Sequence, residues 1–396
     1  MIFTGVGLMI GVGCSVVASI QSARGKFRTA RINVTQALVA VTVFASIPSL
    51  VALIFPDTLL RLLGASAYLL PQAREYMLWS VPSWLFTMWG AVSLFVIRLD
   101  GRPRLAMACS LISAGINVVL DWAFIFPLGW GVKGAAIATS ISVVIGGLIA
   151  VGYLLLYARF LRLYPIKWSR KSMRLFIRNI GYQCRIGSSA LLAEATLATL
   201  MFMGNHLFMH YLGEHGVGAF GIACYYTPFV FMVGNAIAQS AQPIISYNFG
   251  AGCRQRVQKT IRIALLTAVL CGAAVTSLFV CIPHLLVGLF ISPNDPTFAI
   301  ATSGFPYYAA GFIFFILNLT TIGYYQSLER VGPATLLALL RGFFFLIPAF
   351  LLLPRWLDTP GIWLALSCSE LLTTLCSLAF YLFRTCCVRK QRCAKG

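Results

Sequence analysis

Charge is what this sequence has least of. Of 396 residues, 30 are Lys or Arg and only 10 are Asp or Glu. Together they make 10% of the chain, against about 25% in a soluble domain. That shortage excludes a water-soluble globular protein, a disordered chain, a coiled coil and a DNA-binding module. The 12 Cys contain no C-x-x-C pair, so they read as small apolar residues rather than a disulfide scaffold or a zinc site. No Gly-Lys-Ser/Thr phosphate loop occurs, which argues against ATP drive within the chain. No nucleophile, base and third partner are spaced as a catalytic triad, so no enzymatic activity is expected. The net charge of +20 is read first as membrane topology and only then as nucleic-acid affinity.

Apolar sequence is abundant. It makes 59% of the residues, and mean hydropathy is +0.86. A span across about 30 Å of hydrocarbon takes about 20 residues, or about 35 with its loop, so the chain has room for about eleven. Eleven apolar runs are found, at 1–21, 34–55, 77–98, 105–128, 134–157, 187–212, 216–242, 260–282, 303–326, 333–353 and 361–383. In lipid a segment must satisfy its own backbone, so each run is read as a helix. The fold class is therefore an all-α polytopic membrane protein.

The basic residues test this division. Loops one, three, five, seven and nine, with the C-terminal tail and with Arg98 and Arg262 at the adjoining run ends, hold 25 of the Lys and Arg. The alternate loops hold four, and Arg341 lies inside a run. Lys and Arg concentrate on the cytoplasmic side, which puts the odd loops and the C-terminus there and Met1 outside. Run one has no basic residue before Arg24 and makes a poor signal peptide.

A basic linker at 158–186 divides the chain into an N-terminal bundle, 1–157, and a C-terminal bundle, 187–384, followed by a cytoplasmic tail, 385–396. A weak repeat joins the halves at a spacing of 227 residues. Gly25, Gly115, Pro127, Gly134, Ala138 and Ser142 match Gly252, Gly342, Pro354, Gly361, Ala365 and Ser369. The matched segments share one membrane orientation, so the bundles are related about an axis along the membrane normal. Duplication of this kind is the frame of alternating-access transporters. The first half has five runs where the second has six.

Two motifs then carry a resemblance. Gln242-Pro243-Ile244-Ile245-Ser246-Tyr247-Asn248-Phe249-Gly250-Ala251-Gly252, followed by Arg254 and Arg256, resembles the Gln-Pro…Tyr-Asn-x-Gly-Ala signature of MATE (multidrug and toxic compound extrusion) transporters. Asn117-x3-Asp121-x2-Phe124 with Gly131-x2-Gly134-Ala135-Ala136 resembles the matching segment of the first half, and Gly361-x-Trp363 the start of the last helix. The similarity covers nearly the whole chain and is greatest to the bacterial MepA-like branch. It implies two bundles of a MATE/MOP fold and export of organic, often cationic, compounds in exchange for H⁺ or Na⁺. It implies no other cofactor, a bacterial inner-membrane location, and a monomer whose partners are small organic substrates and the bilayer. MATE proteins have twelve helices, so the first helix of the family, which often bears a coupling carboxylate, is expected to be missing here.

Three acids fall within the runs: Asp121, Glu194 and Glu370. An ionisable group in lipid is costly enough to point to function, and these are the candidate ion-coupling residues. Glu194 lies roughly 10 Å into its run, which holds no Lys or Arg beyond Arg185 at its mouth. It reads either as a site for H⁺, Na⁺ or a cationic substrate or as a protonated acid bonded between helices. Glu370 and Arg341 fall at similar depths on antiparallel helices, roughly 12–16 Å from the inner side, which suggests a structural ion pair. Asp121 shares a helix face with Asn117.

Candidate cavity residues are Asn117, Asn205, Asn235, Gln239, Gln242, Asn318, Gln326 and Tyr307. Asn235, Gln239 and Gln242 follow i, i+4, i+7 spacing, one helix face that either bonds neighbouring helices or wets a substrate path. Tyr225, Tyr226, Tyr307 and Tyr308 could face a cation or anchor helix ends at the interface. His206, His210 and His215 gain no further ligand from the sequence, so no metal is expected. Pro228, Pro243, Pro306 and Pro348 can kink spans. The competing function is a lipid-linked oligosaccharide flippase of the same superfamily, whose cavity would be strongly basic, whereas these runs hold almost no Lys or Arg except Arg341.

Overall fold

A computed structural model describes residues 2–62, 68, 70–165 and 169–393, with side chains as far as 382. Lys167 and the side chains of the expected tail 385–396 lie outside the described residues. Among the described residues every regular element is helical. In chain order these are α1 (Ile2–Ala23), α2 (Phe27–Ile54), α3 (Pro56–Leu62), α4 (Leu70–Leu99), α5 (Pro103–Ile125), α6 (Gly131–Leu156) and α7 (Arg170–Gly250). They continue as α8 (Arg254–Cys281), α9 (Pro283–Gly288), α10 (Pro296–Ala309), α11 (Phe312–Ser327) and α12 (Val331–Leu339). A π-helical turn (Leu340–Phe344) then leads into α13 (Leu346–Cys393).

Among the described residues, eight stretches are long and apolar enough to cross a membrane. The pair α10 and α11, bent by 44° at its junction, makes a ninth. The sequence expects eleven runs, and the difference has a local cause. Runs 187–212 and 216–242 are continuous within α7, which at 81 residues would measure about 120 Å if straight. It breaks at Gly213, where φ is +64° and ψ −155°. Runs 333–353 and 361–383 are likewise continuous within Val331–Leu382 and break at Asp358, with φ +49°. Helix α7 also reaches back to Arg170, through half of the segment expected as a linker. Ser169 caps it, its hydroxyl accepting the Ser172 N–H at 3.2 Å.

The chain forms two compact units, Met1–Leu191 with Ser246–Gly252, and Leu192–Ile245 with Cys253–Gly396. The 227-residue spacing reappears in the backbone. Helices α2 and α8 are both 28 residues long and begin at 27 and 254. Each ends on a residue of matching non-helical backbone, Phe55 (φ −126°, ψ 55°) or Ile282 (φ −130°, ψ 46°), and a proline, Pro56 or Pro283, then opens a short helix. Positive-φ residues pair up as well: Gly25 (+75°) with Gly252 (+76°) and Gly131 (+52°) with Asp358 (+49°) keep the spacing, and Gly101 (+85°) with Glu329 (+56°) misses it by one residue. One departure stands out. Where the first unit has the regular helix α5, the second has α12, the π-turn and the start of α13.

Each unit has its own core. The first is aliphatic and built on close approach: Gly7 of α1 packs on Met88 and Ala91 of α4, and Gly13 meets the Gln183 backbone of α7. Helix association in lipid relies on such small residues rather than on a hydrophobic drive. The second core is aromatic. Trp363 is 1% exposed among Phe208, Phe220, Phe305 and Tyr308, and Gly304 clears space under its indole.

Candidate functional site

The acids within the apolar runs occupy three different environments. Glu370 is fully buried on α13 of the second unit, and Arg341, on the π-turn, is 1% exposed. Arg341 Nη2 and Nε donate to Glu370 Oε1 at 2.6 and 3.0 Å. The guanidinium carbon lies 4.3 Å from the centre of the Phe315 ring. Glu370 Oε2 accepts from Asn318 Nδ2 at 2.7 Å, and the same amide donates to the Glu370 carbonyl at 2.9 Å. Thr374 Oγ1 donates to Asn318 Oδ1 at 3.0 Å, and Ser369 Oγ to the Arg341 carbonyl at 2.7 Å.

Local backbone explains the geometry. The Phe345 N–H bonds to the Leu340 carbonyl, an i to i+5 closure, and π-turns of this kind, rare overall, are frequent at functional sites. Gly342 lets Thr196 of α7 press against the turn, where a Cβ would collide with the threonine hydroxyl. The result is a neutral pair whose carboxylate is satisfied on both oxygens, with Arg341 Nη1 left without a hydrogen-bond partner. A buried pair gains little over an apolar substitute, but removing one partner strands the other charge.

Glu194 differs in kind. It sits on α7 at the start of the second unit, half-buried, and has no hydrogen bond or ion pair among the described residues. Asp121, on α5 of the first unit, is also half-buried, and its Oδ1 is buried without a partner. One turn earlier, Asn117 donates to Thr139 Oγ1 at 3.5 Å and lines a cavity of about 360 Å³ between α4, α5 and α6.

Of the remaining cavity candidates, Asn205 is exposed on α7, Asn235 and Gln239 are half-buried, and Gln242 is buried. Gln326 is buried on α11, and the Tyr307 carbonyl accepts from Ser367 Oγ at 2.7 Å. The structure thus brings together Asn318, Arg341 and Glu370, and sets Asn117 beside Asp121 on one helix. Among the described residues, no three His, Cys, Asp or Glu side chains gather as a metal site.

Two features escape the sequence reading. A cavity of about 750 Å³ in the first unit is walled by Phe3, Phe44, Tyr76, Met77, Trp84 and Met88. Phe3 and Trp84 stack there at 4.4 Å. Its volume suits a drug-sized molecule, yet apolar side chains in a membrane chain carry no signal that distinguishes such walls from packing.

The second feature is Asp100, buried at the end of α4. Its Oδ2 accepts from Tyr153 OH at 2.8 Å and Arg159 N at 3.0 Å. Its Oδ1 accepts from Phe160 N at 2.8 Å and Leu161 N at 3.0 Å. It anchors the segment after α6 to its own unit.

The MatE family model matches residues 1–123 and 190–351. The multidrug export protein MepA of Staphylococcus aureus (strain MSSA476) is 25% identical over 398 residues, covering 97% of this chain and 83% of the relative. MepA of Staphylococcus haemolyticus (strain JCSC1435) is 27% identical over 254 residues, 64% of this chain and 54% of the relative.

Among solved structures, a multidrug resistance MATE family transporter of the MOP superfamily, in an outward-facing conformation, superposes with a TM-score of 0.87. That match has 19% identity and covers 98% of this chain and 86% of the other. A MOP superfamily transporter from Pyrococcus furiosus Vc1 gives a TM-score of 0.86 at 19% identity, covering 96% and 85%.

Proposed function

The chain belongs to the MatE family, and from that membership we propose a cycle in which a cation at Glu194 drives export of organic, cationic, amphipathic compounds. The protein is a membrane-embedded secondary active antiporter of the MATE type rather than an enzyme. In the finer reading it is a MepA-like member with eleven spans, counting each stretch broken at Gly213 or Asp358 as two. The spans form two bundles, and the C-terminus is cytoplasmic.

The observation that carries the coupling assignment is the unpartnered, half-buried carboxylate of Glu194. An exchange site must be able to hold a cation in one state and give it up in another. Glu370 already has its counter-ion in Arg341, which makes it a clamp. Asp121 is the second candidate for exchange. H⁺ or Na⁺ entering at Glu194 favours one state of the transporter, and release of the exported compound follows from its differential affinity for the two states. The aromatic cavity around Trp84 supplies faces on which a planar organic cation can lie. A flippase for an anionic, lipid-linked sugar is disfavoured, because Arg341, the basic residue deep within a run, is neutralised by Glu370.

The test is ethidium efflux from a bacterial strain lacking its own efflux pumps. Glu194→Gln should lose most of the efflux at normal expression, and Asp121→Asn should lose less. Unchanged efflux in Glu194→Gln would overturn the coupling assignment. Absence of efflux of every organic cation tried, with the unaltered chain well expressed, would overturn the substrate class.

A further inference from the structure

The second unit contains a crevice of about 510 Å³ between α8, α11 and α13 that the transport reading does not use. Helix α8 contributes Gln258, Ile261, Arg262 and Leu265, which follow i, i+3, i+4, i+7 spacing and form one face. Helix α13 contributes Thr374, Ser377, Leu378 and Tyr381 with the same spacing. The floor is Asn318 and Thr374, already bonded to each other at 3.0 Å. Among the described lining residues Arg262 is the one charged group, and no carboxylate is present. Arg262 has no ion-pair partner among the described residues.

The lips of the crevice indicate what it opens to. On α8, Ile263, Leu266 and Leu270 are each more than half exposed. On α13, Leu375, Leu378 and Leu382 are as well. Both helices are apolar stretches long enough to span a membrane, so these exposed faces are met by hydrocarbon and not by water. A solute from the aqueous phase would have to cross lipid to enter. A lipid already lies alongside.

The charge defines the headgroup. Arg262 ends a basic series, Arg254, Arg256 and Lys259, along the first turns of α8. Basic pockets between spanning helices hold anionic headgroups. Tyr381 stands at the wall, as aromatic residues do at the polar boundary of the bilayer.

We propose that this crevice binds one anionic phospholipid from the leaflet at the basic end of α8. Its phosphate pairs with Arg262 and accepts from Gln258, and an acyl chain lies along Leu265 and Leu378.

The experiment uses the full-length protein purified in neutral detergent, with thermal unfolding as the readout. Dioleoylphosphatidylglycerol, dioleoylphosphatidylcholine and free glycerol 3-phosphate are added separately. Binding to the folded form raises the unfolding temperature by mass action. Phosphatidylglycerol should raise it by several degrees and the other two should not. Arg262→Ala should remove at least half of that shift, whereas Arg256→Ala, an exposed change on the same basic turn, should keep it. Ser377→Trp leaves the charge and fills the crevice, and should also lose the shift. It carries the test if Arg262→Ala purifies poorly.

Equal stabilisation by phosphatidylcholine would overturn the headgroup assignment, and equal stabilisation by glycerol 3-phosphate would overturn the lipid. If Arg256→Ala loses as much as Arg262→Ala, the effect is diffuse charge attraction and the site is overturned.

Discussion

Gly25 and Gly252, 227 residues apart, adopt the same left-handed backbone, with φ of +75° and +76°. Each follows the last residues of one long helix and precedes a 28-residue helix. Neither has any atom within 4 Å of where a Cβ would stand. A side chain at either position therefore meets conformational strain alone.

Gly25→Ala and Gly252→Ala should each cost about 1 kcal/mol. The double variant should lose the sum, since the sites share no partner. Thermal unfolding of the purified protein reads this. Unequal costs would mean that the two turns are held differently by their surroundings.

Arg341→Ala strands the Glu370 carboxylate in a dry interior. The expected loss is roughly 3–5 kcal/mol, against a far smaller change for the paired replacement Arg341→Met with Glu370→Leu. A double-mutant cycle on unfolding temperature or denaturant midpoint measures the difference. Additive effects in the cycle would contradict the direct bond between the two groups.

Asp100→Ala removes the acceptor for three consecutive backbone N–H groups, those of Arg159, Phe160 and Leu161. An unsatisfied buried donor costs about 1–3 kcal/mol. The segment should come loose before the helices do, so trypsin should cut at Arg159 and Arg162 sooner than in the unaltered protein while the unfolding temperature falls only modestly. Unchanged cleavage kinetics would show that Arg31, whose Nε donates to the Phe160 carbonyl at 2.9 Å, suffices as the anchor.

Asp295 caps α10 outside the spans. Hydrogen bonds from the Thr297 side chain and then its backbone N–H, the latter at 2.8 Å, hold its carboxyl below the usual carboxylate range. A lowered carboxyl lends stability that is fully present above its unfolded value of about 3.9 and is lost as pH falls through the lowered folded value. The unaltered protein should therefore be more stable than Asp295→Asn near neutral pH, and the gap should close in acid. A gap that stays constant with pH would assign the effect to cap geometry and not to charge.

How far the sequence reveals this molecule depends on the range over which each signal acts. Span positions and the repeat are visible because hydropathy and glycine placement are local, and even the matched turns at Gly131 and Asp358 follow the 227-residue spacing. That Arg341 and Glu370 meet is a matter of equal depth on antiparallel helices, which residue counting can reach. The π-turn that presents Arg341 is not legible, because it depends on Gly342 yielding to Thr196 from a distant helix. Asp100 was hidden for a different reason. Flanked by Arg98 and Arg102 in a basic loop, it resembles a solvated acid, and only folding delivers the three backbone donors that bury it. Asn318 shows the converse. Its residue type suggested a wet cavity, whereas its amide is occupied in holding Glu370.

The packing around Trp363 has an optical consequence. Its indole is enclosed by aromatic rings and its Nε1 has no hydrogen-bond partner, whereas Trp356, seven residues earlier, is 75% exposed. Trp363 should emit toward the blue and be shielded from quenchers carried on lipid tails or dissolved in water. Trp356 should be readily quenched. A variant that keeps only these two tryptophans would report the integrity of the second unit and the surroundings of the α13 break in a single emission spectrum.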